Sequence, residues 1–178
     1  MKKITIALIS LILIGGMVFT ASAFTSSELS RDANIQVTDD TNGIISLNPG
    51  DTDAVTLVNG ALTIDTAHSG AGLNIESVFT YGNPTDVTND HAFNVTNTDS
   101  QARELTFSYE NVVDNEGQTE AVQFIVYDST GAQIATADAG SSATFSAATG
   151  DTYYVVMEVD TSSLSPSADL SGDFVIRT

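Results

Sequence analysis

The chain has 178 residues, with 23 Asp and Glu against five Lys and Arg, two His and no Cys. Without cysteine there can be no disulfide, no thiol nucleophile and no lipid attachment at an N-terminal cysteine. Both lysines, Lys2 and Lys3, open the chain, and beyond them three arginines (Arg31, Arg103, Arg177) face all 23 acids, a net −20, which leaves no basic patch for nucleic acid or an anionic membrane.

Lys2 and Lys3 lead into an apolar run, Ile4 to Phe19, and then Ala21-Ser22-Ala23. That is a charged n-region, an h-region and an A-x-A site, so residues 1–23 read as a signal peptide cleaved between Ala23 and Phe24. The run is short of the roughly 20 residues that span a bilayer. An uncleaved anchor is the alternative; after cleavage no membrane segment is expected. The remaining 155 residues, 24–178, suit one domain with its own core. Lysine is ordinarily among the commonest residues, and its absence here reads as salt adaptation. Carboxylates hold water and ions, and at molar salt the Debye length falls to about 3 Å, which screens their repulsion.

The first strand of the exported part is Ala33 to Val37, where Ala33, Ile35 and Val37 alternate with Asn34 and Gln36. A turn at Asp39 to Gly43 leads to a short strand, Ile44 to Leu47, stopped by Asn48-Pro49-Gly50. Ala54 to Val58 and Ala61 to Asp65 flank Asn59-Gly60, the signature of a type I′ hairpin. Leu73 to Tyr81 alternates through Leu73, Ile75 and Val78. His91 to Asn97 sets Phe93 and Val95 on one face, and Arg103 to Glu110 does the same with Leu105, Phe107 and Tyr109. Ala121 to Tyr127 is nearly continuous apolar, as in a strand covered on both sides. Ala132 to Ala137, Ser141 to Ala147, Thr152 to Val159 (Tyr154, Val156 and Glu158 on one face) and Asp173 to Arg177 complete the series. With no amphipathic helical window, the expected fold is all-β: a single antiparallel β-sandwich, jelly-roll or Ig-like, following the signal peptide.

Ala23-Phe24-Thr25-Ser26, Arg31, Val37, Asp39-Asp40 and Leu47 form an opening that resembles a family of small secreted archaeal proteins common in halophiles. Phe93-Asn94-Val95-Thr96-Asn97, Leu105-Thr106-Phe107 and Gly172-Asp173-Phe174 extend the resemblance over most of the exported chain. A wider resemblance is to the TasA and camelysin group and to archaeal bundling pili. It implies a jelly-roll-like sandwich, biofilm fibres, and an N-terminal strand lent to the next subunit.

Catalytic chemistry finds little to stand on. His68 and His91 are the only histidines, and no H-E-x-x-H exists, so a camelysin-type metallopeptidase would lack its ligands. Both read as surface or structural residues. No G-x-S-x-G elbow, phosphate loop or dinucleotide fingerprint occurs. Asp39-Asp40 and Asp51-x-Asp53 are oxygen-rich, yet neither matches an EF-hand, and they read as acidic turns rather than a calcium site. Asn94-Val95-Thr96 is the one N-glycosylation sequon, with Asn94 pointing away from the core face.

No catalytic, cofactor-binding or metal residue is therefore expected. The chain reads as a non-enzymatic extracellular or cell-surface structural protein of a biofilm matrix. Its expected partner is itself, as a homopolymer, or other surface proteins, with Ala33, Ile35 and Val37 as the candidate donor strand. A monomeric glycan- or cation-binding module is the alternative.

Overall fold

A computed structural model of the chain describes residues 42–66 and 73–178. The signal peptide with its Ala23–Phe24 junction, the Ala33–Val37 segment, Asp39-Asp40 and His68 lie outside the described residues. The described residues form eleven strands and no helix: β1 Ile45–Pro49, β2 Val55–Val58, β3 Ala61–Ile64, β4 Val78–Tyr81, β5 Phe93–Asn97, β6 Arg103–Glu110, β7 Val122–Tyr127, β8 Gln133–Ala137, β9 Ala143–Ala147, β10 Thr152–Asp160 and β11 Asp173–Arg177.

All eight strand pairings are antiparallel. The larger sheet runs β1-β5-β10-β7-β8, with β4 pairing the far end of β10. The smaller runs β11-β6-β9, and β2-β3 is a separate hairpin. At its tip Asn59 (φ 53°) and Gly60 (φ 86°) both take positive φ, as the Asn-Gly signature predicts.

The two sheets pack face to face through aromatic side chains. Phe93 and Phe124 of the larger sheet and Phe107 of the smaller are fully buried, and Phe145 meets Tyr153 across the layers at 4.8 Å between ring centroids. Leu105, Phe107 and Tyr109 share the inner face of β6, as their alternation requires. In β10 the principal core face is Tyr153, Val155, Met157 and Val159. The opposite face also finds cover: Val87, from the β4–β5 connection, packs on Tyr127 and Val156. That cover explains why both β7 and β10 are so apolar.

Two features depart from the sequence reading. The strand expected to stop before Asn48-Pro49 continues through both; β1 is an edge strand, where a proline without an N–H is tolerated. Only the second half of Leu73–Tyr81 is strand, and Val78 points outward at 55% exposure, while Phe79 and Tyr81 pack on the core. Glu76 takes φ 55°, which breaks the extended run. Of the two roles expected for His91, surface or structural, the structure shows the structural one: it is buried, its ring edge-on to Tyr154 at 4.9 Å.

Many of the acids do more than solvate the surface. Asp128 Oδ1 accepts from Thr130 Oγ1 (2.6 Å) and from the N–H groups of Thr130 (2.8 Å) and Ala132 (3.1 Å). Asp160 holds the Ser162 N–H (2.8 Å) and hydroxyl, and Asp169 the Ser171 N–H (3.0 Å) and hydroxyl. The hydroxyl bonds first, and then the backbone bonds, hold these three carboxyls below their usual range. The Asp-x-Ser/Thr spacing that makes such turns is legible in sequence.

Candidate functional site

β11 is the edge of the smaller sheet. It pairs with β6 on one side, in register Phe174 to Tyr109 and Ile176 to Phe107, and has no neighbour on the other among the described residues. Phe174 and Ile176 turn inward onto the core. The side chain of Phe174 gathers three rings, with centroids 4.5 Å from Phe124, 5.2 Å from Phe93 and 5.4 Å from Phe107.

Where β11 begins, with Asp173 and Phe174 in its lining, lies a groove of about 740 Å³. Its floor is the inner face of the larger sheet, with Leu47, Phe124, Met157 and Val159. Tyr109 and Phe174 line it on the β11 side, and Leu62 and Ile64 of the β2–β3 hairpin also line it. Leu73 and Ile75 belong to the same lining, so their alternation serves the groove rather than a strand. Thr161 anchors that stretch: its hydroxyl donates to Asn74 C=O (2.7 Å) or Ser77 C=O (2.9 Å) and accepts from the Ser77 N–H (3.1 Å).

One end of the groove is closed by the chain from Leu164 to Gly172. Several contacts hold this segment, among them the Ser165 N–H to Glu116 Oε2 (2.8 Å) and the Val113 N–H to Ser171 C=O (2.9 Å). Asp114 and Asp169 exchange backbone bonds of 2.8 and 3.1 Å. Tyr109 donates its hydroxyl to Leu170 C=O. Burial, with Asp169 and Asp173 nearby, pushes the Tyr109 hydroxyl up to about 12, so it remains a donor. Gly172 lies against the Tyr109 ring, where a Cβ would come within 2.9 Å of both the ring and Glu110 C=O. Only glycine lets the chain pass there into β11. Asp169 and Asp173 line this end, and Thr63, Asp65 and Thr66 add polar lining beside the β2–β3 hairpin, so the apolar floor has polar walls.

The pairing of open edge and apolar floor defines what this site can hold. A strand edge offers unpaired N–H and C=O groups, and the floor offers pockets for alternate side chains. An extended peptide satisfies both, whereas an acyl chain would leave the edge unpaired.

Among the sequence-designated residues, Asn94 sits on the outer face of β5, half-buried, between β1 and β10. Its Nδ2 lies 3.2 Å from His91 Nε2 and its Oδ1 accepts from Asn48 Nδ2 at 3.5 Å. A glycan there would have to share an amide already engaged. Asp51 and Asp53 are exposed, and no group of three or more His, Asp or Glu is placed to hold a metal among the described residues. Sequence reading passed over Phe174, Tyr109 and Thr161 as groove residues, and nothing in local pattern marks them. No protein-family model matches the chain, and no curated protein matches it significantly.

Proposed function

We propose that this chain is a secreted, non-enzymatic structural protein of the cell surface or extracellular matrix, whose copies join by strand addition. The observation carrying this reading is the edge of β11, unpaired among the described residues, whose first residues border a groove with an apolar floor. The sequence supplies a matching occupant: Ala33, Ile35 and Val37 alternate over a length comparable to the five residues of β11. Main-chain bonds to β11 supply affinity, and the three apolar side chains fix register by entering alternate pockets. The resemblance to TasA-type matrix proteins and archaeal bundling pili agrees with this reading. The test is size-exclusion chromatography in molar salt of wild type and the Ile35→Asp/Val37→Asp variant. Wild type should elute as polymers and the variant as a folded monomer with unchanged circular dichroism. Two identical monomer peaks would overturn the proposal.

The same reading places the protein in a saline habitat. Thermal melts taken from molar to millimolar salt should show a falling midpoint as screening of the −20 charge is withdrawn. A midpoint that holds or rises on dilution would count against salt adaptation.

A further inference from the structure

Asn42-Gly43 and Asn59-Gly60 are the two Asn-Gly steps of the chain. Glycine has no Cβ to shield its amide nitrogen, so at such a step the asparagine carboxamide is most open to attack by the backbone that follows it. The fold treats the two steps differently. Asn42-Gly43 leads into β1, and the chain there is tied to Thr98, just beyond β5. Gly43 C=O accepts from Thr98 Oγ1 at 2.7 Å, and Ile44 C=O accepts from the Thr98 N–H at 3.0 Å.

Asn59-Gly60 is the tip of the β2–β3 hairpin. The Val58–Ala61 pair closes the ladder, which leaves Asn59 and Gly60 outside it. The base of the hairpin is secured by buried Ala54 and Val55 and by a 2.7 Å bond from the Asp65 N–H to Ala54 C=O. Toward the tip that cover ends: Leu57 is 40% exposed, Val58 50%, and Asn59 is exposed. Among the described residues β2 and β3 pair only with each other, and a two-stranded hairpin is marginally stable in water. The tip therefore opens with far less free energy than the sandwich needs to unfold.

We infer that Asn59 is a site of spontaneous deamidation, converted to aspartate and isoaspartate through the opened hairpin tip. The inference is independent of strand addition. The closed turn holds Asn59 at φ 53° and Gly60 at φ 86°. Ring closure needs rotation about the Asn59 Cα–C bond, which the closed turn restrains, so the open tip is the reactive form. The Gly60 nitrogen attacks Asn59 Cγ and forms an N–Cγ bond. Its amide proton passes through water to Nδ2, the Cγ–Nδ2 bond breaks, and ammonia leaves. Water then opens the succinimide. Cleavage of N–Cγ gives aspartate at position 59, and cleavage between that nitrogen and the main-chain carbonyl carbon gives isoaspartate. Nothing is oxidised or reduced, and water is the only co-reactant. Either product places a new negative charge at the tip. Isoaspartate also inserts a methylene into a two-residue turn, so Val58 and Ala61 no longer close it and the groove wall carrying Leu62 and Ile64 loosens.

The test incubates the full chain in mildly alkaline molar salt, folded or unfolded in urea. Chymotryptic peptides are then mapped by mass spectrometry, where each conversion adds about 1 Da and enzymatic methylation marks isoaspartate. A second protein carries Leu57→Cys with Leu62→Cys, a facing pair whose disulfide locks the two strands together. In the folded wild type Asn59 should convert at least about fivefold faster than Asn42, while in urea the two steps convert alike. The disulfide should slow conversion at Asn59 at least about fivefold, and reduction should restore it. Asn42 converting as fast as Asn59 in the folded chain, or Asn59 unchanged there while the urea sample converts, overturns the assignment. Equal rates at Asn59 with the disulfide closed and reduced overturn the route through the opened tip.

Discussion

Phe174→Ala is expected to destabilise the sandwich by about 3 kcal/mol, the lower end of the range for removing a core phenylalanine. The ring touches Phe93, Phe107 and Phe124, which come from three different strands and both sheets. Removing it leaves a void in the middle of the inter-layer packing, where neighbours held in their own strands collapse only partly. The cost stops short of the upper range because Phe174 is only partly buried, one flank lining the groove. Denaturant melts read the effect as a lower midpoint at unchanged slope. Phe174→Leu should recover more than half of the loss. A Phe174→Ala variant within about 1 kcal/mol of wild type would show that the ring is not a hub of the core. The same variant removes part of the groove wall, so it should also weaken assembly, whereas Ile35→Asp/Val37→Asp should leave the monomer's melt unchanged.

Asn97→Ala should cost a similar amount by a different route. Asn97 is fully buried at the end of β5. Its amide donates to the carbonyls of Gln101 and Ala147, both at 2.9 Å, and of Ala148 at 3.3 Å. Its Oδ1 accepts from the Asp99 N–H at 3.0 Å. One side chain thus ties the β5–β6 turn to the end of β9, 50 residues away. Truncation leaves several backbone groups without partners, each worth about 1–3 kcal/mol when desolvated, with water reaching some of them; a total near 3 kcal/mol follows. Asn97→Asp keeps the acceptor but loses the donors and sets a carboxylate against carbonyl oxygens, so it should be at least as damaging. A loss below about 0.5 kcal/mol in the alanine variant would mean that water replaces the amide without penalty.

Asn97 and Asn94 illustrate how far local pattern reaches. Both sit in Phe93–Asn97, and the alternation there correctly sets Phe93 and Val95 inward. By the same alternation Asn97 shares their face, a buried polar position whose partners come from Gln101, Ala147 and Ala148. Nothing near Asn97 in the chain announces Ala147. Thr161 is similar: its partners Asn74 and Ser77 lie more than 80 residues back. Those bonds, with Glu76 at positive φ, turn Leu73 to Ser77 from an expected strand into groove lining.

What the sequence determined by itself is the all-β architecture, the type I′ hairpin at Asn59-Gly60, and the spans of β6 and β11. Each follows from side-chain alternation or from the φ preferences and short-range hydrogen bonds of adjacent residues, and these act within a few positions. Only the tertiary structure decided that Tyr153 rather than Tyr154 faces the main core, that His91 is buried, that Gly172 must clear the Tyr109 ring, and that one edge of β11 is unpaired among the described residues. Those outcomes depend on which strands become neighbours, which is fixed by burial summed over the whole chain; a strand's own residues state that it has two faces and two edges, and only its neighbours determine which of them are covered.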